Sequence, residues 1–143
     1  MRSLAVILAM VLILGARAYA AECTLTEQRR LAEELPRLKS WASIYASFRA
    51  HTPQCDDGFY AEGYTEAVVK MLSARWATVG ELARLARRDP AFRRFVLKHV
   101  DASADPDDLR KVLTNATRQC PRDLGNLCAS LATAAKAALG GPK

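Results

Sequence analysis

The sequence predicts an all-α protein, a compact bundle of about six short helices held together by two disulfides. Helix start signals follow one another with connections of about two to six residues. No segment shows sustained alternation of apolar and polar residues, and no β-hairpin turn lies between two β-branched runs. Four cysteines in a short chain supply the two bridges.

The first twenty residues have the pattern of a secretory signal peptide. Arg2 supplies a positive charge, residues 4–14 form an apolar run, and an A-x-A cleavage site ends at Ala20. The apolar run is too short for a membrane span, which needs about 20 residues. We expect a periplasmic or secreted chain with no membrane span, in which residues 21–143 form a single helical domain.

The domain begins with two helices or one sharply kinked helix. Residues 24–27, TLTE, form a capping box in which Thr24 and Glu27 satisfy each other's free N–H groups. Pro36 interrupts the helical pattern because proline lacks an N–H and clashes with the preceding turn. The apolar residues that follow at helical spacing are Leu31, Leu35, Leu38, Trp41, Ile44, Tyr45 and Phe48.

The next helix opens with CDDGFYAEGYTE, residues 55–66. We call Asp56, Asp57, Glu62 and Glu66 the acidic stretch. Asp56 or Asp57 is a natural N-cap, Glu62 and Glu66 share a helix face, and Lys70 is placed to pair with Glu66. The spacing does not match a calcium-binding EF-hand loop. A helix cap with a solvated acidic face is therefore favoured over a two-carboxylate catalytic site.

The later helices each carry a start signal. Thr78 and Glu81 form a second predicted capping box, and Asp89-Pro90 and Asp105-Pro106 each place an N-cap before a proline. The last helix runs through Leu124 to Ala135 and stops at residues 140–142, GGP. Gly63 indicates that a neighbouring helix packs closely against this one. The alternative interpretation is that Gly63 leaves room for a ligand beside Tyr60 and Tyr64.

The cysteines predict structural bridges rather than redox chemistry, because no Cys-x-x-Cys motif is present. Cys120 and Cys128 are eight residues apart across a Pro121 corner, so we favour that pair. Cys23 with Cys55 follows by elimination if Pro36 redirects the chain; otherwise the pairing crosses to the C-terminal helices.

No metal site or cofactor is predicted. The cysteines are 32, 65 and 8 residues apart, and the only histidines are His51 and His99, which is not zinc-ligand spacing. His51 falls in a loop, and His99 is expected to cap a helix end at the surface.

A second candidate site is basic. Six cations fall within fifteen residues against one acid, and we call them the basic surface: Arg84, Arg87, Arg88, Arg93, Arg94 and Lys98. Such a surface suits an anionic partner: an acidic protein, a phospholipid surface or a cell-wall polymer. Nucleic acid is not expected, because the chain is exported and its basic residues alternate with apolar ones.

The segments CDDGFYAEGYTEAVVKML, DPAFRRFVLKHVDA and CPRDLGNLC carry a resemblance to small exported all-helical proteins of Gram-negative bacteria with no assigned activity. Size, export and helical content are also similar to periplasmic immunity proteins, which neutralise toxins. This similarity rests on fold-level analogy and implies a protein-binding module.

Two function classes follow, with an enzyme third. The first is an inhibitor- or immunity-like module that binds an unknown protein. The second is a small-ligand or ion carrier with a cavity lined by Tyr60, Tyr64, Trp41 or Trp76. The third is an enzyme that uses the acidic stretch, although no catalytic constellation is evident.

Overall fold

The computed structural model describes residues 22–140, so the predicted signal peptide and the end of the GGP stop lie outside the described residues. Within them the chain is all-helical, as predicted, with seven α-helices and no strand. The helices are α1 Leu25–Glu34, α2 Trp41–Ala50, α3 Gly58–Ala74, α4 Val79–Arg88, α5 Pro90–Lys98, α6 Pro106–Arg118 and α7 Gly125–Leu139. None of them is long and apolar enough to cross a membrane.

The N-terminal segment folds as two helices joined by a short 3-10 turn at Leu35–Arg37, which contains Pro36. The capping box of Thr24 and Glu27 is present at the start of α1. A second capping box, which we did not predict, joins Ser40 and Ser43 at the start of α2. The missed signal is a serine in place of the usual glutamate at the third helical position.

Three aspartates begin helices as predicted: Asp57 caps α3, Asp89 caps α5 and Asp105 caps α6. The capping box predicted at Thr78 is wrong. Thr78 already lies in a 3-10 turn, where its backbone is not extended and its side chain does not bond the free N–H groups of α4. Its hydroxyl instead donates to the carbonyl of Arg75 and accepts from Trp41 Nε1 at 3.0 Å.

The core is one cluster in which α3 packs against the turn after α1, against α2 and against α6. Fully buried apolar side chains come from every α-helix, and each contributes about 2 kcal/mol of burial free energy. Those with no exposed surface include Leu31, Ile44, Val68, Leu82, Phe92, Val112 and Leu131.

Both predicted disulfides are present. Cys120 and Cys128 close the α6–α7 corner with their Cα atoms 6.0 Å apart. Cys23 and Cys55 are joined with their Cα atoms 4.8 Å apart. The break at Pro36 brings Cys55 back beside the start of α1, which is the condition that this pairing required.

Gly63 marks a close approach, in agreement with the packing prediction. A Cβ atom on Gly63 would lie 2.5 Å from Leu35 Cδ1, so the 3-10 turn after α1 sits directly on α3. Gly58 has a different reason to be glycine, because it begins α3 with a φ of 51°, in the left-handed region.

Candidate functional site

The acidic stretch is divided between two surfaces. Asp56 is largely buried and binds Lys98 Nζ at 2.6 Å and His99 Nε2 at 3.0 Å, whereas Asp57 caps α3. Glu62 and Glu66 are exposed on the far side, along a separate groove. These four carboxyl groups therefore do not form one site.

The predicted ion pair between Lys70 and Glu66 is wrong. Lys70 Nζ instead binds Asp108 Oδ2 at 2.5 Å, and Lys111 binds the other oxygen of the same carboxylate. Asp108 is buried beside Lys70 because α6 packs against α3, and its hydrogen bond with Lys70 lowers its pKa. Lys70 binds Asp108 rather than Glu66 because the packed helices α3 and α6 already hold the Asp108 carboxylate in place.

The groove along α3 has a volume of about 960 Å³. Its walls are formed by the end of α1, by one face of α3 and by the start of α6. Phe59 lies at its edge with 69% of its surface exposed. Charges of both signs line this groove, including Glu62, Glu66, Lys39 and Lys70.

The basic surface is also divided. Lys98 is paired with Asp56, and Arg93 donates to Asn126 Oδ1 at 2.7 Å and Ser130 Oγ at 2.9 Å, which joins α5 to α7. Among the described residues Arg84, Arg87 and Arg88 form no salt bridge. They remain exposed on α4. Together with Ala42, Glu81 and Leu85 they line a hollow of about 390 Å³.

The surface role predicted for His99 is wrong, because its side chain is 1% exposed. Its Nδ1 lies 3.0 Å from the hydroxyl of Thr65, which also donates to Asp101 Oδ2. The ring packs edge-on against Phe95. Burial alone would raise the pKa of Asp56, but the close contact with the His99 ring and the hydrogen bond from Lys98 outweigh it and hold that pKa below its ordinary value.

His51 is a second buried histidine, with a side chain 3% exposed. Its Nε2 lies 3.0 Å from Glu34 Oε2, and the same oxygen accepts from Ser47 Oγ at 3.2 Å. Ser47 in turn contacts the hydroxyl of Tyr64 at 2.9 Å. His51 and Ser47 thus share one carboxylate and do not bond each other, so this is not the arrangement of a nucleophile activated by a base.

Two groups of the same network, Glu34 and Tyr64, have shifted pKa values. Burial would raise the pKa of Glu34, but hydrogen bonds from His51, Arg30 and Ser47 more than compensate and lower it. Burial also raises the pKa of Tyr64 to about 12, so its hydroxyl stays protonated at neutral pH. A carboxylate and a neutral phenol therefore face each other through Ser47.

A cleft of about 310 Å³ opens next to this network. Phe48, Tyr64 and Phe95 form its aromatic wall, and its polar lining includes His51, Asp56, Arg94 and Lys98. Of the four aromatic residues that we predicted around a carrier cavity, Tyr64 lines this cleft. Trp41 is instead buried in the core, and Trp76 Nε1 donates to the carbonyl of Gln119.

The bridge Cys23–Cys55 lies beside His51 and Glu27. Ligand atoms of Glu27, His51 and Cys55 lie within 4.8 Å of one another, the one such group within residues 22–140. Sequence reasoning missed both buried histidines and this group. No local signal marks them, because their partners come from distant segments.

Comparisons with protein-family models, with curated proteins and with solved structures found no match to this chain. The function must therefore be argued from its own surfaces and side chains.

Proposed function

We propose that this protein is a binding module, inhibitor- or immunity-like, for an acidic protein partner in the periplasm or outside the cell. The observation that carries this proposal is the set of exposed arginines on α4, Arg84, Arg87 and Arg88, around a hollow and without salt bridges among the described residues. Other exposed arginines without a salt bridge among the described residues, such as Arg29, Arg37 and Arg118, lie on different elements, whereas these three share one face of α4.

The chemistry of arginine supports an acidic partner. A guanidinium group is a planar fork of donors that binds a carboxylate through two parallel hydrogen bonds. Residues at i, i+3 and i+4 share one helix face, so all three forks are available to one partner surface. The predicted signal peptide and the two disulfides support export, since disulfides persist in oxidising compartments.

Charge reversal tests the proposal. The variant Arg84→Glu/Arg87→Glu/Arg88→Glu is compared with Arg29→Glu/Arg37→Glu/Arg118→Glu, which changes the net charge equally at scattered exposed positions. Capture from periplasmic extract, followed by mass spectrometry, identifies an acidic partner, and its affinity is then measured with the purified pair. We expect the first variant to lose binding at low salt, with a smaller difference at high salt. Equal binding by the two variants rejects the α4 site.

A photo-crosslinking residue at Ala42 gives a direct second test, because Ala42 is exposed and lines the same hollow. We expect it to crosslink the partner, and the same residue at Thr133 on α7 to crosslink it much less. The proposed location is tested separately, by sequencing the N-terminus of the exported chain, which should begin at Ala21.

A small-ligand carrier is the second candidate, and the aromatic cleft favours it. Its volume of about 310 Å³ is at the lower end of the range for ligand pockets, roughly 300–1,000 Å³. Substitution Phe48→Ala would open the cleft and change ligand affinity without touching α4. A thermal-shift screen of small molecules against the wild type and this variant separates the two functions.

A further inference from the structure

Three side chains of the type that binds zinc meet beside the start of α1, and a fourth, Cys23, is bonded to one of them. Ligand atoms of Glu27, His51 and Cys55 lie within 4.8 Å of one another, and Cys23 is bonded to Cys55. Two thiolates, an imidazole and a carboxylate make a ligand set of the kind found in tetrahedral Zn²⁺ sites. In the oxidised chain the two sulfurs bond each other, so this set is incomplete until the disulfide is reduced.

An independent observation at His51 points to a metal. Its side chain is 97% buried, and its Nδ1 has no hydrogen-bond partner among the described residues. A buried ring nitrogen without a partner is costly, which calls for a ligand at that atom. The other nitrogen, Nε2, is held by the Glu34 carboxylate at 3.0 Å. Histidines that bind zinc are commonly oriented in this way, by a carboxylate on the second ring nitrogen.

We propose that Cys23, Cys55, His51 and Glu27 form a Zn²⁺ site in the reduced chain, with Glu34 as the residue that orients His51. Zinc bonds of about 2.3 Å to sulfur and about 2.0 Å to nitrogen place neighbouring ligand atoms about 3.5 Å apart. The three ligand atoms already lie within 4.8 Å of one another, so small side-chain movements bring them onto one metal ion. Glu27 Oε2 also accepts from Thr24 N and Oγ1 in the capping box of α1, so the metal takes the other oxygen of this carboxylate.

The chemistry balances with a dithiol as reductant. The dithiol gives two electrons and two protons to the Cys23–Cys55 bond, which becomes two thiols, while the dithiol becomes a disulfide. Zn²⁺ then displaces one proton from each thiol and binds both thiolates. Zinc and the disulfide therefore exclude each other, and either one keeps the start of α1 joined to the turn before α3.

Cobalt spectroscopy tests the site, because Co²⁺ replaces Zn²⁺ and absorbs visible light. The variant Cys120→Ser/Cys128→Ser, which keeps only the proposed cysteines, is reduced with a dithiol, freed of reductant without oxygen and titrated with Co²⁺. We expect the intense d–d bands of tetrahedral cobalt and a sulfur-to-cobalt charge-transfer band, both removed by one equivalent of Zn²⁺. The same variant in its oxidised form should give neither.

The other cysteine pair provides a matched control. The variant Cys23→Ser/Cys55→Ser keeps Cys120 and Cys128, which belong to no group of three metal-binding side chains in the described part of the chain. We expect no tetrahedral cobalt spectrum from this variant after reduction. Equal spectra from the two variants, or equal binding by the oxidised and reduced forms, would overturn the proposal.

Two further variants test the histidine and its orienting carboxylate. We expect His51→Gln to remove tight binding, and Glu34→Gln to weaken it by about 10- to 100-fold. Glu33→Gln, an exposed neighbour, should bind like the parent. Circular dichroism is recorded throughout, and cobalt binding that appears only after helicity is lost would overturn a site formed by the folded chain. Unchanged cobalt affinity in both the His51→Gln and the Glu34→Gln variants would also overturn the proposal.

Discussion

The Nε2 atom of His99 lies 3.0 Å from Oδ1 of Asp56, and this contact joins the end of α5 to the turn before α3. Lys98 binds the other oxygen of the same carboxylate at 2.6 Å. Two residues that local patterns place on the surface thus form a buried interaction.

The adjacent aspartates Asp56 and Asp57 have different roles, so the same substitution should affect them differently. Asp56→Asn removes the charge that binds Lys98 and His99, and we expect a loss of about 2 kcal/mol, typical of hydrogen bonds to charged groups. Asp57→Asn keeps a good N-cap and should change the free energy of unfolding by less than about 0.5 kcal/mol. Urea denaturation measures both, and equal losses would contradict the assignment.

The depressed pKa of Asp56 predicts acid sensitivity. In the unfolded chain the Asp56 carboxyl has a pKa of about 3.9, and in the folded chain its pKa is lower. At pH values between these two pKa values the unfolded chain therefore binds more protons than the folded chain. The stabilisation is therefore complete well above pH 4, and it is lost as the pH falls through the folded pKa. Asp56→Asn should flatten the dependence of the unfolding free energy on pH below about 5, and Asp57→Asn serves as the control that retains it.

The contact of Gly63 with Leu35 predicts opposite effects at two helical glycines. A Cβ atom at Gly63 would lie within 3.1 Å of three side-chain carbons of Leu35, so Gly63→Ala should destabilise by about 1–3 kcal/mol. At Gly80 a Cβ atom meets nothing within 4 Å, so Gly80→Ala should stabilise by up to about 1 kcal/mol. Stabilisation at both positions in thermal unfolding would show that Leu35 moves aside freely.

The two disulfides should contribute unequally. Cys23–Cys55 closes a loop of 32 residues and Cys120–Cys128 one of eight, so the longer loop restricts the unfolded chain more. We expect removal of the first bridge by paired alanines to cost about 4 kcal/mol and removal of the second about 2.5 kcal/mol. Mass spectrometry of the unreduced protein should recover no alkylated cysteine, and a larger loss from the shorter loop would contradict the chain-entropy reasoning.

Much of the helical framework could be predicted because its signals are local. Asp89 and Asp105 bond N–H groups two and three residues away, and a proline follows each of them, so neighbouring residues alone determine where α5 and α6 begin. The pairing of Cys23 with Cys55 needed one further condition, a chain reversal, and Pro36 provides it.

The candidate sites depend on partners that lie far apart in the chain. Lys70 binds Asp108 rather than Glu66 because α6 packs against α3, and no helical spacing indicates that choice. His51 meets Glu34, 17 residues earlier, because the chain reverses between α1 and α2.

The sequence by itself determined the starts of α1, α3, α5 and α6 and the number of bridges, because hydrogen bonds within one turn and the cysteine count depend on neighbouring residues and composition. Only the tertiary structure decided which charges stay free on α4 and which histidines are buried. The pairing of a charge depends on which carboxylate the packed helices bring within about 3 Å, and the burial of a histidine depends on which helices pack over its ring, so both are set by the fold as a whole.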